Sequence, residues 1–168
     1  MKSTLAVLVV NKPGVLTRIS GLLSRRVFNI ESIAAGLTEE PEITRITIVV
    51  NDDDDNSSLE QVIKQLSKQV DVIKVQRLEA KDSIERELAL IKVSASPETR
   101  SDIVDIVNIF RAGIVDVNNE TMVIELTGDE SKINALCAIL EQHGIVEMVR
   151  TGKVALSRSP FPARSLTD

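Results

Sequence analysis

The strongest constraint on this chain is that one order of elements is written in it twice. Residues 4–10 form a β-rich apolar run, Asn11-Lys12-Pro13-Gly14 carries turn chemistry, and Val15, Leu16, Ile19, Leu22 and Leu23 then share one helical face. Residues 29–38 return to β-type composition, Glu39-Glu40-Pro41-Glu42 is a polar turn, and 43–50 are β-rich again, so the pair reads as a hairpin. After a polar stretch, Leu59, Val62, Ile63, Leu66 and Val70 recur at helical spacing behind Ser57 or Ser58 as N-cap, and 72–78 predict a closing strand. The second half repeats this. Residues 88–95 predict a strand, 97–110 a helix, and 113–117 with 121–127 a hairpin. Asp129 or Ser131 then caps a helix with Ile133, Leu136, Cys137 and Leu140 on its face, Gly144 ends it, and 145–156 predict the last strand.

Each half therefore has the order βαββαβ. That order predicts an α+β fold of two ferredoxin-like units in tandem, each with two helices on one face of a four-stranded antiparallel sheet. The boundaries read as 1–79 for the first unit, 80–87 for a charged linker, 88–158 for the second unit and 159–168 for a disordered, proline-containing tail. A sheet covered on one face should alternate apolar and polar residues, yet Leu5-Ala6-Val7-Leu8-Val9-Val10 and Ile46-Thr47-Ile48-Val49-Val50 barely do. The second face or an edge needs cover. A second copy of the chain supplies it most economically, giving a homodimer; the alternative is that the two halves stack on each other.

Composition narrows the function classes. With 168 residues, 43% apolar and 27% charged, the chain can bury a core, and its net charge of −5 gives neither half a net basic field for a phosphate backbone. Three Phe, no Trp and no Tyr leave almost nothing to stack on bases, so a nucleic-acid partner is not expected. One Cys and one His exclude a disulfide framework and a Cys/His zinc cage, and a metal is not expected. The apolar run at the N-terminus is too short for a membrane span, and a reducing cytoplasm is the simplest home.

Few residues offer chemistry. Cys137 and His143 are six positions apart, about 120° in helical projection, so they do not face each other. The acidic stretch from Asp52 lacks the glycine and glutamate of a calcium loop, having Ser57 and Ile63 there. Arg18 with Arg25-Arg26 suits either an anion or the C-terminal dipole of its own helix. The first strand-to-helix loop differs from these. Asn11 can donate and accept, Gly14 leaves the backbone open to a ligand, and the helix start at Val15 presents free N–H groups to a carboxylate or phosphate; a plain Pro-Gly turn capped by Asn11 is the simpler alternative. The matching stretch Ala95-Ser96-Pro97-Glu98 lacks the glycine and adds an acid. Asn29-Ile30-Glu31, opening the second strand, is a further polar cluster.

The spacing Asn11-x-x-Gly14-Val15-Leu16-x-Arg18-Ile19 followed by Asn29-Ile30-Glu31-Ser32 resembles the ACT domain, in particular that of the small regulatory subunits of acetohydroxyacid (acetolactate) synthase. The likeness continues through Asp71-Val72, Glu85-Arg86-Glu87, Ile109-Phe110-Arg111 and the segment Gly152 to Arg158. It implies a noncatalytic partner that activates the catalytic subunit and confers feedback inhibition by valine in branched-chain amino acid synthesis. Thiamine diphosphate, Mg and FAD are implied on the catalytic partner, and no cofactor on this chain. The resemblance also implies an effector site between two ACT domains: Asn11, Gly14 and Val15 from one chain, Asn29 and Ile30 from its mate. Another amino-acid-sensing ACT regulator is the alternative. An acylphosphatase-like enzyme on the same fold needs a phosphate-cradling arginine, which the first loop lacks.

Overall fold

A computed structural model describes residues 2–24, 29–51, 56–161 and 163, with the main chain alone for 56–58. The elements follow the predicted order: β1 (Lys2–Val10), α1 (Val15–Ser24), β2 (Asn29–Leu37), β3 (Ile43–Asn51), α2 (Asn56–Ser67), β4 (Val72–Leu78), β5 (Ser83–Ser94), α3 (Arg100–Phe110), β6 (Gly113–Val117), β7 (Thr121–Gly128), α4 (Glu130–Leu140), β8 (Ile145–Arg150) and β9 (Val154–Ser157). They form two compact units, residues 1–84 with 153–168 and residues 85–152.

In unit 1 the sheet order is β2-β3-β1-β4, all neighbours antiparallel. Leu5, Val7 and Val9 of β1 lie beside Ile48, Ile46 and the hairpin end of β3 and pack against Val15, Ile19 and Leu23 of α1 and Leu59, Val62 and Leu66 of α2. Period-2 alternation on the strands and 3.6-residue spacing on the helices meet here on one buried face. In unit 2 the order β6-β7-β5-β8 repeats the topology, and Ile91, Val93, Ile124 and Met122 pack against Ile103, Val107, Ile133, Leu136 and Leu140. Tandem βαββαβ is thus the architecture.

Five expectations need correction. The charged segment 80–87 is no linker: a short 3-10 turn at Ala80–Asp82 leads into β5, and Glu87 is buried beneath Arg150, whose Nε and Nη2 donate to its carboxylate at 2.9 and 2.6 Å. The last strand is two strands, because Gly152 takes φ +77° and turns the chain, so β9 belongs to unit 1 and not to a continuous unit 88–158. Helix α2 contains Ser57 and Ser58 within its span and ends at Ser67, which leaves Val70 almost fully exposed.

The fourth correction concerns the second face of the unit 1 sheet. Thr4, Ala6, Leu8, Thr47 and Val49 point away from the helices and are buried within this one chain. Ala6 and Leu78 cluster with Ala155, and Phe161 packs on them under the cations of Lys74 (4.3 Å) and Arg45 (5.6 Å). The supposed tail therefore begins as a strap on the sheet: Ala163 N–H donates to Glu39 Oε1 at 2.9 Å. Pro162 and residues 164–168 lie outside the described residues.

Candidate effector site

The β1–α1 loop is built by three local constraints. Asn11 N–H donates to the Glu42 carbonyl at 2.7 Å and its side-chain Nδ2 to the Pro41 carbonyl at 3.2 Å, tying the loop to the β2–β3 turn. Gly14 has φ +82°, a region that disfavours a Cβ, and its carbonyl accepts the first helical bond from Arg18 N–H at 3.1 Å. Arg18 pairs with the Asp71 carboxylate, while the Asp71 carbonyl takes Val10 N–H at 2.9 Å. Arg18 is thus engaged within its own unit; Arg25 and Arg26 lie outside the described residues, as do Asp52 to Asp55.

What remains free among the described residues is the start of α1. The first N–H groups of a helix have no acceptor inside it, and α1 carries no acidic side chain in its first turn. Val15 is 4% exposed with its side chain in the core, so only its backbone N–H can face a ligand, whereas Asn11 and Gly14 are exposed. A Cβ built on Gly14 would meet only Arg18 Nη1, at 3.6 Å, so the approach is open and the restriction is one of backbone angle.

Asn29 and Ile30 are elsewhere. Asn29 lies opposite Asn51, which lies opposite Lys2, while Asn11 follows Val10, which lies opposite Ile43. The two clusters sit at opposite ends of one sheet, separated by about 27 Å at ~3.4 Å per strand residue. Ile30 packs against the unit 1 core, so only its main chain is presented, and the ladder shifts register around Glu31, which bonds Lys2 Nζ at 2.5 Å. β2, which carries both residues, is an edge strand among the described residues.

The other candidates do not form sites. Cys137 Sγ contacts Met148 Sδ at 3.5 Å, and burial pushes its thiol pKa up, the opposite of an activated nucleophile. His143 meets Gln142. No cluster of metal-binding side chains and no helix long and apolar enough to cross a membrane occurs among the described residues.

The residues that define the open helix start and the two-ended polar clusters lie on an ACT-type unit: residues 5–74 match the model of the acetohydroxyacid synthase small subunit-like ACT domain. Residues 86–159 match the model for the small subunit of acetolactate synthase. The probable acetolactate synthase small subunit of Archaeoglobus fulgidus is 54% identical over 94% of this chain and 98% of its own length. The small subunit of Mycolicibacterium smegmatis is 52% identical over 94% and 91%. A crystal structure of the small subunit from Thermotoga maritima superposes with a TM-score of 0.88 at 40% identity, over 96% of this chain and 99% of that one. The chain belongs to the acetolactate synthase small-subunit family, and so stands with the small subunits of that enzyme and not with its catalytic chains.

Proposed function

We propose that the chain activates the catalytic subunit of acetolactate synthase and makes it sensitive to valine through a site shared by two copies of its ACT unit. The observation that carries this reading is the separation of Asn11 and Asn29 to opposite ends of one sheet. One chain cannot close a small ligand between them. A two-fold pairing of β2 edges would be antiparallel and would set the mate's β2 start against the Leu37 end, which is the Asn11 end because Leu37 lies opposite Thr44 and Thr44 opposite Val9. The valine carboxylate would then meet the N–H groups at the start of α1, and Asn11 and the mate's Asn29 would take its remaining polar atoms.

A ligand that bridges two chains binds only the arrangement presenting both halves, so it biases the dimer by its differential affinity, and the catalytic subunit reads that bias. Thiamine diphosphate, Mg and FAD belong to that partner. The test is calorimetry of L-valine into the full chain, with D-valine as control, alongside valine inhibition of the enzyme reconstituted with its catalytic subunit. Saturable binding of the L form and inhibition that both vanish in Gly14→Asp support the site. A reconstituted enzyme still inhibited by valine with Gly14→Asp removes it.

A further inference from the structure

The stretch from Gly152 to Arg158 takes no part in the effector site, yet it carries the chain back onto unit 1. Between this strap and the outer face of the sheet lies a cavity of about 540 Å³, within the size range of small-molecule sites. Leu8, Leu156 and Phe161 contribute apolar wall, and Arg45, Arg158 and Glu39 contribute charge. From the cavity's lining and charge we infer that it binds a small monocarboxylate with a short aliphatic body.

The charges argue for an anion. Arg45 is partly buried; one Nη2 bond goes to the Ala155 carbonyl at 2.7 Å, and a guanidinium has five N–H donors to distribute. Arg158 is held by its main chain, N–H to the Asp82 carbonyl at 2.8 Å, and its exposed side chain has no ion pair among the described residues. Glu39 has one oxygen committed to Ala163 N–H. Among the described lining residues, two guanidinium groups stand against one carboxylate, which leaves room for a single negative charge. A compact dianion such as phosphate would meet Glu39 and leave the apolar wall uncovered, whereas a carboxylate on an aliphatic body satisfies both.

The cavity abuts the effector loop without sharing a residue with it, since the turn that supplies Glu39 also supplies the two carbonyls that hold Asn11. The inference therefore does not depend on the valine reading. Its test is titration of the full chain with sodium 4-methylpentanoate, followed through the methyl resonances of Leu8 and Leu156, with neutral 4-methylpentanamide as the shape-matched control. Saturable shifts at both leucines, binding of the amide weakened by about tenfold or more, and a loss of about five- to tenfold in Arg158→Gln with unchanged thermal unfolding are expected. Absence of saturation at those methyls, equal binding of acid and amide, or an Arg158→Gln chain that binds as the parent does would each overturn it.

Discussion

The two units share a topology and differ at the same place, the loop from the first strand into the first helix. In unit 1 this loop turns on Gly14 at φ +82°, and no acid stands in the first turn of the helix that follows. In unit 2, Ser96 to Thr99 close into a turn, with Thr99 and Arg100 N–H bonded to the Ser96 carbonyl at 3.1 and 3.0 Å. Arg100 then reaches back, its Nη2 donating to the carbonyls of Ala95, Asn118 and Asn119 at 2.9 to 3.3 Å, and Asp102 places an acid in the first turn of α3. One fold can thus turn this loop on a bare glycine or tether it to the neighbouring hairpin through an arginine.

The largest expected effect breaks this difference from the open side. Gly14→Asp puts a carboxylate where the effector's own should lie and should weaken L-valine binding about a hundredfold or more, close to 2.7 kcal/mol. Its φ of +82° adds a folding cost of about 1 kcal/mol, which thermal unfolding of the same variant separates from the binding loss. Valine binding within threefold of the parent would show that the loop's openness has nothing to do with an effector.

The next effect contrasts the ion pairs that brace each unit. Glu87 is nearly buried and held bidentately by Arg150, which also donates to Asn134 Oδ1 at 3.0 Å; the Lys2–Glu31 pair is far more exposed. Arg150→Ala strands a buried carboxylate and should cost about 2 kcal/mol, less than a fully enclosed pair, whereas Lys2→Ala should cost under ~1 kcal/mol. Denaturant titrations of the two variants check the ordering, and equal losses would contradict it.

These features differ in how far they can be read from the chain. The order of elements, the Gly14 turn and the helix faces were legible because each depends on residues a few positions apart. Glu85-Arg86-Glu87 looked like a linker because the group that neutralises Glu87 lies 63 positions away. Gly152 sits between β-rich stretches, so residues 145–156 read as one strand, and the positive φ that sends β9 back to unit 1 leaves no pattern. The need to cover the outer face of the unit 1 sheet was legible in β1 and β3. Its cover within the chain was not, since Ala155 reads as part of a continuous last strand and Phe161 stands between two prolines in a segment that resembles a loose end. At the candidate site, the residue types and the inward face of Val15 were visible, but the inward turn of Ile30, which leaves it only main-chain groups to offer, required the packing.

A smaller effect comes from opening the closed loop. Arg100→Ala removes one side chain shared by three carbonyls and should destabilise the protein by about 1 kcal/mol, read from chemical denaturation. No valine site should appear on calorimetry of this variant in a Gly14→Asp background, because Glu98 and Asp102 remain at the helix start and no glycine stands where Gly14 does. Binding gained there would mean that the arginine alone separates the two loops.

The smallest effect uses the helix starts once more. Helix α4 is capped by its own side chain: Asp129 Oδ1 accepts from Lys132 N–H at 2.8 Å and from Ser131 Oγ at 2.7 Å. The bond to Lys132 N–H, then that to Ser131, holds the Asp129 carboxyl below its ordinary pKa of 3.8. A pKa depressed by folding contributes stability that is fully present above the unfolded value and lost as pH falls through the folded one. Between pH 7 and 5 the cap should therefore be constant, and from about pH 4 downward the amide of Lys132 should lose hydrogen-exchange protection. The Asp129→Asn variant, which keeps a capping oxygen without a titrating group, should flatten this part of the profile. Helix α1, which starts behind a glycine, has no such carboxylate to lose, so exchange at Val15 to Thr17 should show no matching step over the same range. A shared step at both helix starts would mean that the acid response belongs to the whole chain and not to the side chain that distinguishes a capped helix from an open one.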